Sequence, residues 1–179
     1  MKIFISGGCK NGKSTLAQHL VKKLGEDRTL YYVATMIPHD EEDHARIRRH
    51  LQERDGWGFT TMECGDDLTA NLTGKDLEGA YLVDSVTAQL ANAMFREDGS
   101  FDPDAAERVA ADLTAFAETV RDVVFVSDYI YGEAAFHSEL TTAYMKGLAD
   151  VDRALAKVCD AVYECCAGTV TAHKGEWIL

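Results

Sequence analysis

Short apolar runs alternate with longer amphipathic stretches along this chain. Lys2-Ile3-Phe4-Ile5-Ser6, Leu30-Tyr31-Tyr32-Val33-Ala34-Thr35, Ala80-Tyr81-Leu82-Val83-Asp84 and Asp122-Val123-Val124-Phe125-Val126-Ser127-Asp128 are nearly continuous apolar segments rich in β-branched and aromatic residues. Such runs read as strands buried on both faces. Between them the period changes. Leu16, Leu20, Val21 and Leu24 share one helical face, and Val86, Leu90, Ala93 and Met94 do the same across residues 85–95. Residues 103–120 read as a helix with Pro103 in its first turn, and 136–159 as a long helix or a helix pair. Residues 56–62 read as a strand after a glycine break and 66–72 as a short helix. The segments 161–167 and 169–172 read as closing strands, with a last one expected at 177–179. Strands that alternate with helices in this way predict an α/β fold with a mostly parallel sheet. No repeat or low-complexity linker divides the chain, so residues 1–179 are expected to form a single domain.

One predicted helix is unlike the others. Residues 41–53 carry Ile47 and Leu51 as almost their only large apolar positions. A helix this polar buries little surface on its own. It is either a solvated face or a helix kept exposed for a task.

Composition narrows the function. The 179 residues suit one sizeable core, and the hydrophobic share of 46% with 27% charged is that of an ordinary globular chain. The formal net charge of −12 repels nucleic acid and anionic membrane surfaces, so neither is expected as a partner. No apolar run reaches membrane-span length, and the opening strand does not resemble a secretory leader. The five cysteines lack C-x-x-C spacing, and an odd count is expected to mean free thiols in a reducing cytoplasm.

The chemistry begins at residue 7. Gly7-Gly8-Cys9-Lys10-Asn11-Gly12-Lys13-Ser14 is a complete G-x-x-x-x-G-K-[ST] phosphate loop between a predicted strand and a predicted helix, the context the motif requires. Its glycines let backbone N–H groups turn around an anion, and the helix start at Lys13, Ser14 and Thr15 adds its positive dipole end. Lys13 is placed to reach the β- and γ-phosphates of ATP or GTP, and the Ser14 hydroxyl to hold Mg²⁺. Asp84 ends an apolar strand as a Walker B carboxylate does, which makes it a second Mg²⁺ ligand or, alternatively, the cap of the next helix. Asp128 ends another apolar strand with the same two readings. His39, His44 and His50 cluster around the polar helix without metal-pair spacing. Arg46 and His50, at i and i+4, share a face, and a phosphate held by Arg46 beside an imidazole suits nucleotidyl transfer.

Several segments in order resemble the bifunctional adenosylcobinamide kinase/adenosylcobinamide-phosphate guanylyltransferase family of cobalamin biosynthesis. Residues 5–14 look like its G-G-x-x-S-G-K-S opening, and Tyr32-Val33-Ala34-Thr35 like its Y-I-A-T strand. Residues 40–50 resemble its D-x-E-M-x-x-R-I-x-x-H helix, Trp57 to Glu63 its W-x-T-x-E strand, and residues 82–87 its L-(L/V)-(D/E)-(S/C)-x-T segment. The second half departs. Where the family has V-(S/T)-N-E-V-G, this chain has Val126-Ser127-Asp128-Tyr129-Ile130-Tyr131, and the family's G-R-x-N-Q becomes Ala149-Asp150-Val151-Asp152-Arg153.

The resemblance implies a three-layer P-loop NTPase (RecA-like) fold with the polar helix at 41–53 protruding. It implies that His50 receives GMP from GTP as a phosphoramidate, with Arg46 and Glu63 among the nucleotide-binding residues and Lys13 serving the kinase step. It further implies a corrinoid-type substrate and a homo-oligomer, since the family forms trimers. The altered second half keeps two alternatives open. One is a P-loop kinase for a different small molecule or nucleotide. The other is a nucleotide-binding regulator without transfer chemistry.

Overall fold

The computed structural model describes residues 1–38, 40–132 and 135–178, and the side chains of Arg46 and Glu53 also fall outside what is described. The apolar runs form the centre of the sheet. β1 (Lys2–Gly7), β2 (Leu30–Ala34), β4 (Ala80–Asp84) and β5 (Asp122–Asp128) are almost wholly buried, and β3 (Phe59–Glu63), β6 (Ala161–Cys166) and β7 (Thr169–Lys174) complete the sheet. The strand order is β3-β2-β4-β5-β1-β6-β7. Every pairing is parallel except β6 with β7. A buried parallel sheet needs helices on both faces. One face is covered by α1 (Lys13–Gly25), whose Ala17, Leu20 and Val21 pack on Ile3, Ile5, Leu82 and Val124. The other is covered by α3 (Val86–Met94), α4 (Ala105–Thr119) and α5 (Glu139–Val158). There Tyr81 lies edge-on to Phe116, which in turn meets Phe125. Truncating such a buried aromatic to alanine costs about 3–5 kcal/mol.

The polar helix α2 (Glu41–Glu53) spans the predicted residues, with Asp40 as its cap accepting from the Asp43 N–H at 2.8 Å. Leu51 remains 46% exposed, as expected of a helix with little apolar surface to bury.

Three expectations are corrected. The helix expected at 66–72 shrinks to a 3₁₀ turn at Ala70–Leu72, because Asp67 sits in the left-handed region at φ 41°, which a right-handed helix does not include, while Asp112 on α4 takes the Leu68 and Thr69 N–H groups. The helix expected from 136 is one helix starting at Glu139, where the Ser138 hydroxyl accepts from the Thr141 N–H. Residues 177–178 are not a strand. Trp177 instead packs edge-on against Tyr163 at 4.9 Å, and the Tyr163 hydroxyl donates to Glu176 O at 2.6 Å. Leu179 and His39 lie outside the described residues.

Candidate active site

Strand parity decides which face the candidate residues occupy. Ile3 and Ile5 on β1, Leu82 on β4, and Val124 and Val126 on β5 all point to the α1 side. Asp84 and Asp128 are in step with them, so both carboxylates project toward that same face from the C-terminal ends of their strands. Ligands of open parallel sheets collect at this edge.

The phosphate loop leaves β1 beside β6. A Cβ on Gly7 would sit 2.3 Å from Cys165 O, so only glycine fits between the strands. Gly12 caps α1 in the left-handed region at φ 82°, with no side chain bonded to the first turn. The opening N–H groups of the helix therefore stay available to an anion. Lys13 is 6% exposed. Its Nζ donates to Gly8 O at 2.7 Å and to Asp128 Oδ1 at 2.8 Å. Asp128 thus holds the loop's lysine and caps no helix among the described residues.

Of the two readings of Asp84, the helix cap is removed. Ser85 caps α3, its hydroxyl accepting from the Ala88 N–H at 3.2 Å, so the next helix does not need Asp84. Asp84 Oδ2 instead accepts from the Tyr32 hydroxyl at 2.9 Å. Burial first, and then the Asp84 charge, push the Tyr32 phenol far above its ordinary range, so it remains a donor. The Ser14 hydroxyl and the Asp84 carboxylate are hard oxygen donors, the set that Mg²⁺ takes alongside substrate phosphates.

Tyr32 also reaches toward α2. Arg54, the residue that ends this helix, is buried, with its guanidinium 4.0 Å from the Tyr32 ring centre and its Nη2 donating to Thr61 Oγ1 at 3.0 Å. The Arg54 N–H closes the last turn onto His50 O at 3.2 Å. A continuous path therefore runs from the half-buried His50 through Arg54 and Tyr32 to Asp84.

A family model described as cobinamide kinase / cobinamide phosphate guanyltransferase matches residues 3–172. The chain belongs to that family. It is 33% identical over 106 residues to the bifunctional adenosylcobalamin biosynthesis protein CobU of Salmonella typhimurium, covering 58% of this chain and 56% of that protein. It is 28% identical over 181 residues to the bifunctional adenosylcobalamin biosynthesis protein CobP of Pseudomonas aeruginosa, covering 98% of this chain and 99% of that one. The chain thus spans about half the length of the first of these relatives. A KaiC-like protein from Pyrococcus horikoshii matches 97% of this chain, which covers 78% of that structure, at 12% identity and a TM-score of 0.51, a likeness of fold. The fold is a three-layer, RecA-like P-loop architecture, as the sequence predicts.

For this member of the cobinamide kinase family, Gly7 to Thr15, Lys13, Ser14, Asp84 and Asp128 all lie at the C-terminal edge of the sheet. Glu63 does not join the phosphate loop. It ends β3, an edge strand four strand spacings, about 19 Å, from β1. It lies at the α2 end of the sheet, exposed. The Arg46 side chain lies outside the described residues. Sequence reasoning missed Arg54, although its i+4 spacing from His50 was available, and it gave Tyr32 no role. It also missed Asp152 on α5, which is 3% exposed and accepts from Ser127 Oγ at 3.1 Å and the Tyr131 hydroxyl at 3.0 Å. Burial pushes the Asp152 carboxyl up to about 7, against those two hydrogen bonds and with help from the Asp128 charge. Its place between Val151 and Leu155, on the apolar side of α5, was the signal.

Proposed function

We propose that this chain phosphorylates adenosylcobinamide from ATP or GTP and then transfers GMP from GTP to the resulting phosphate through His50. In the first reaction the loop amides and Lys13 orient and neutralise the triphosphate, so that catalysis is mostly positioning and charge stabilisation. Ser14 and Asp84 hold Mg²⁺, which when bound neutralises phosphate charge. In the second reaction the neutral His50 imidazole attacks the α-phosphorus of GTP and pyrophosphate leaves. The corrinoid phosphate then takes the GMP. Arg46 and Glu63 belong to this second, α2-side part of the site.

The observation that carries the reading is the path His50–Arg54–Tyr32–Asp84. It ties the histidine helix to the sheet edge where the phosphate loop also opens. The subunits are taken to assemble as a homo-oligomer, and the net charge of −12 argues against a nucleic acid partner.

Incubation with α-labelled GTP and Mg²⁺ tests the proposal. The expected result is an acid-labile, base-stable label on the protein that is lost in His50→Ala. Turnover of ATP with adenosylcobinamide but no label would leave a kinase alone. Binding of nucleotide with neither label nor turnover would leave a regulator.

A further inference from the structure

Asp128 is held from both sides through its backbone. Its N–H donates to Thr87 Oγ1 at 2.8 Å, and the following Tyr129 N–H donates to Gly7 O at 2.9 Å. The carboxylate is therefore fixed between the phosphate loop and the first turn of α3. Its Oδ1 accepts from Lys13 Nζ, while Oδ2 accepts no hydrogen bond among the described residues, and the side chain is 33% exposed. One carboxylate oxygen is committed and the other is open to whatever enters the cleft.

We propose that Asp128 is the general base of the phosphoryl transfer, taking the proton from the acceptor hydroxyl as its oxygen attacks the γ-phosphorus. This rests on the kinase reading above and deepens it. The geometry follows from the ammonium group. Lys13 Nζ has three donors, and two already go to Gly8 O and Asp128 Oδ1. The third remains for a phosphate oxygen seated in the loop. Two acceptors on one tetrahedral ammonium, each at ordinary hydrogen-bond distance, lie about 4–5 Å apart. A hydroxyl between them is within hydrogen-bond reach of the carboxylate and near attack distance of the phosphorus, the placement a general base requires. In the step, the acceptor oxygen bonds to the γ-phosphorus, and the bond from that phosphorus to the β,γ-bridging oxygen breaks. Its electron pair leaves on the nucleoside diphosphate, and the acceptor proton ends on Asp128 Oδ2.

Asparagine stands at this place in the family motif from which residues 126–131 depart. It can hold an ammonium through its carbonyl oxygen, but it cannot take a proton. Asp128→Asn is therefore the discriminating variant. The measurements are ATP affinity by calorimetry, melting temperature, and steady-state phosphorylation of adenosylcobinamide in the parent and in Asp128→Asn, with Lys13→Ala alongside. The expected result for Asp128→Asn is an unchanged melting temperature, an ATP Kd within about threefold of the parent, and a kcat lowered by about 10²-fold or more. A kcat equal to the parent's overturns the base assignment alone. So does a higher kcat with tighter ATP binding, because Asp128 would then be only a competitor of phosphate for Lys13. So does a loss confined to KM, which reports positioning of Lys13. An inactive parent, or a Lys13→Ala variant as active as the parent, overturns the kinase reading and this inference together.

Discussion

The β1–β5 seam and the β2–β3 edge hold their reactive groups by different means. At the seam, the lysine and the aspartate are fixed by backbone: a glycine loop, a parallel strand register, and hydrogen bonds from main-chain N–H groups. The Lys13–Asp128 pair has its lysine buried. At the edge, the histidine rides on a polar helix whose end is fastened by side chains, with Arg54 stacked on Tyr32. Backbone anchoring is rigid and tolerates little variation. On the proposed function, each of the two reactions has its own kind of support.

The largest effects test that separation directly. Lys13→Ala is expected to lower phosphoryl transfer by about 10²–10³-fold, the cost of removing a preorganised charge from a transition state. His50→Ala is expected to remove GMP labelling altogether while kinase turnover stays within about threefold. Parallel assays with γ-labelled ATP and α-labelled GTP read both. If His50→Ala abolished both activities to the same degree, the seam and the edge would be one site.

A smaller effect probes the anchor. Arg54→Ala removes the stack on Tyr32 and the bond to Thr61 while leaving His50 itself in place. The expected outcome is a roughly tenfold loss of GMP labelling, with kinase turnover within about twofold and stability lower by about 1–2 kcal/mol. Labelling unchanged in a folded variant would mean that α2 is held by something other than this contact.

The same contrast explains what the sequence showed. The seam is written in contiguous residues: the phosphate loop at 7–14 and the strand at 122–128 that ends in Asp128 are read directly from motif and apolar run. The helix at 41–53 is equally legible, because its polarity and its Asp40 cap are local. The anchor is not legible, because it joins residues 32, 54, 61 and 84, which only the β2–β3 and β2–β4 pairings bring together. The metal-or-cap ambiguity at Asp84 also needed three dimensions. Ser85 takes the cap, and Tyr32, far away in sequence, holds the carboxylate. Glu63 looked like a neighbour of the nucleotide site as a whole, and only the strand order shows at which end of the sheet it lies.

The smallest effect concerns what lies beneath the seam. Asp152 sits on the α3–α5 side, below Ser127 and Tyr131, with its Oδ1 buried and unpaired among the described residues. Its carboxyl is raised from 3.8 to about 7. The folded protein therefore keeps a proton there that the unfolded chain releases above pH 4. Stability from this group is full below that point, falls as pH rises toward 7, and is level above it, with an upper bound of about 4 kcal/mol. Asp152→Asn keeps an acceptor for Ser127 and Tyr131 and removes the ionisation. It leaves the two amide N–H groups without a partner among the described residues, a cost of about 1–3 kcal/mol that offsets much of the gain. The net expectation is a variant more stable than the parent by about 1 kcal/mol at pH 8, or about 2–4 °C in melting temperature, and no more stable at pH 5. Melting curves of both proteins across that range provide the check. A parent whose stability does not fall between pH 5 and 7 would mean that Asp152 ionises freely. The underside of the seam would then be wet, and the rigid support attributed to it would have to come from the backbone alone.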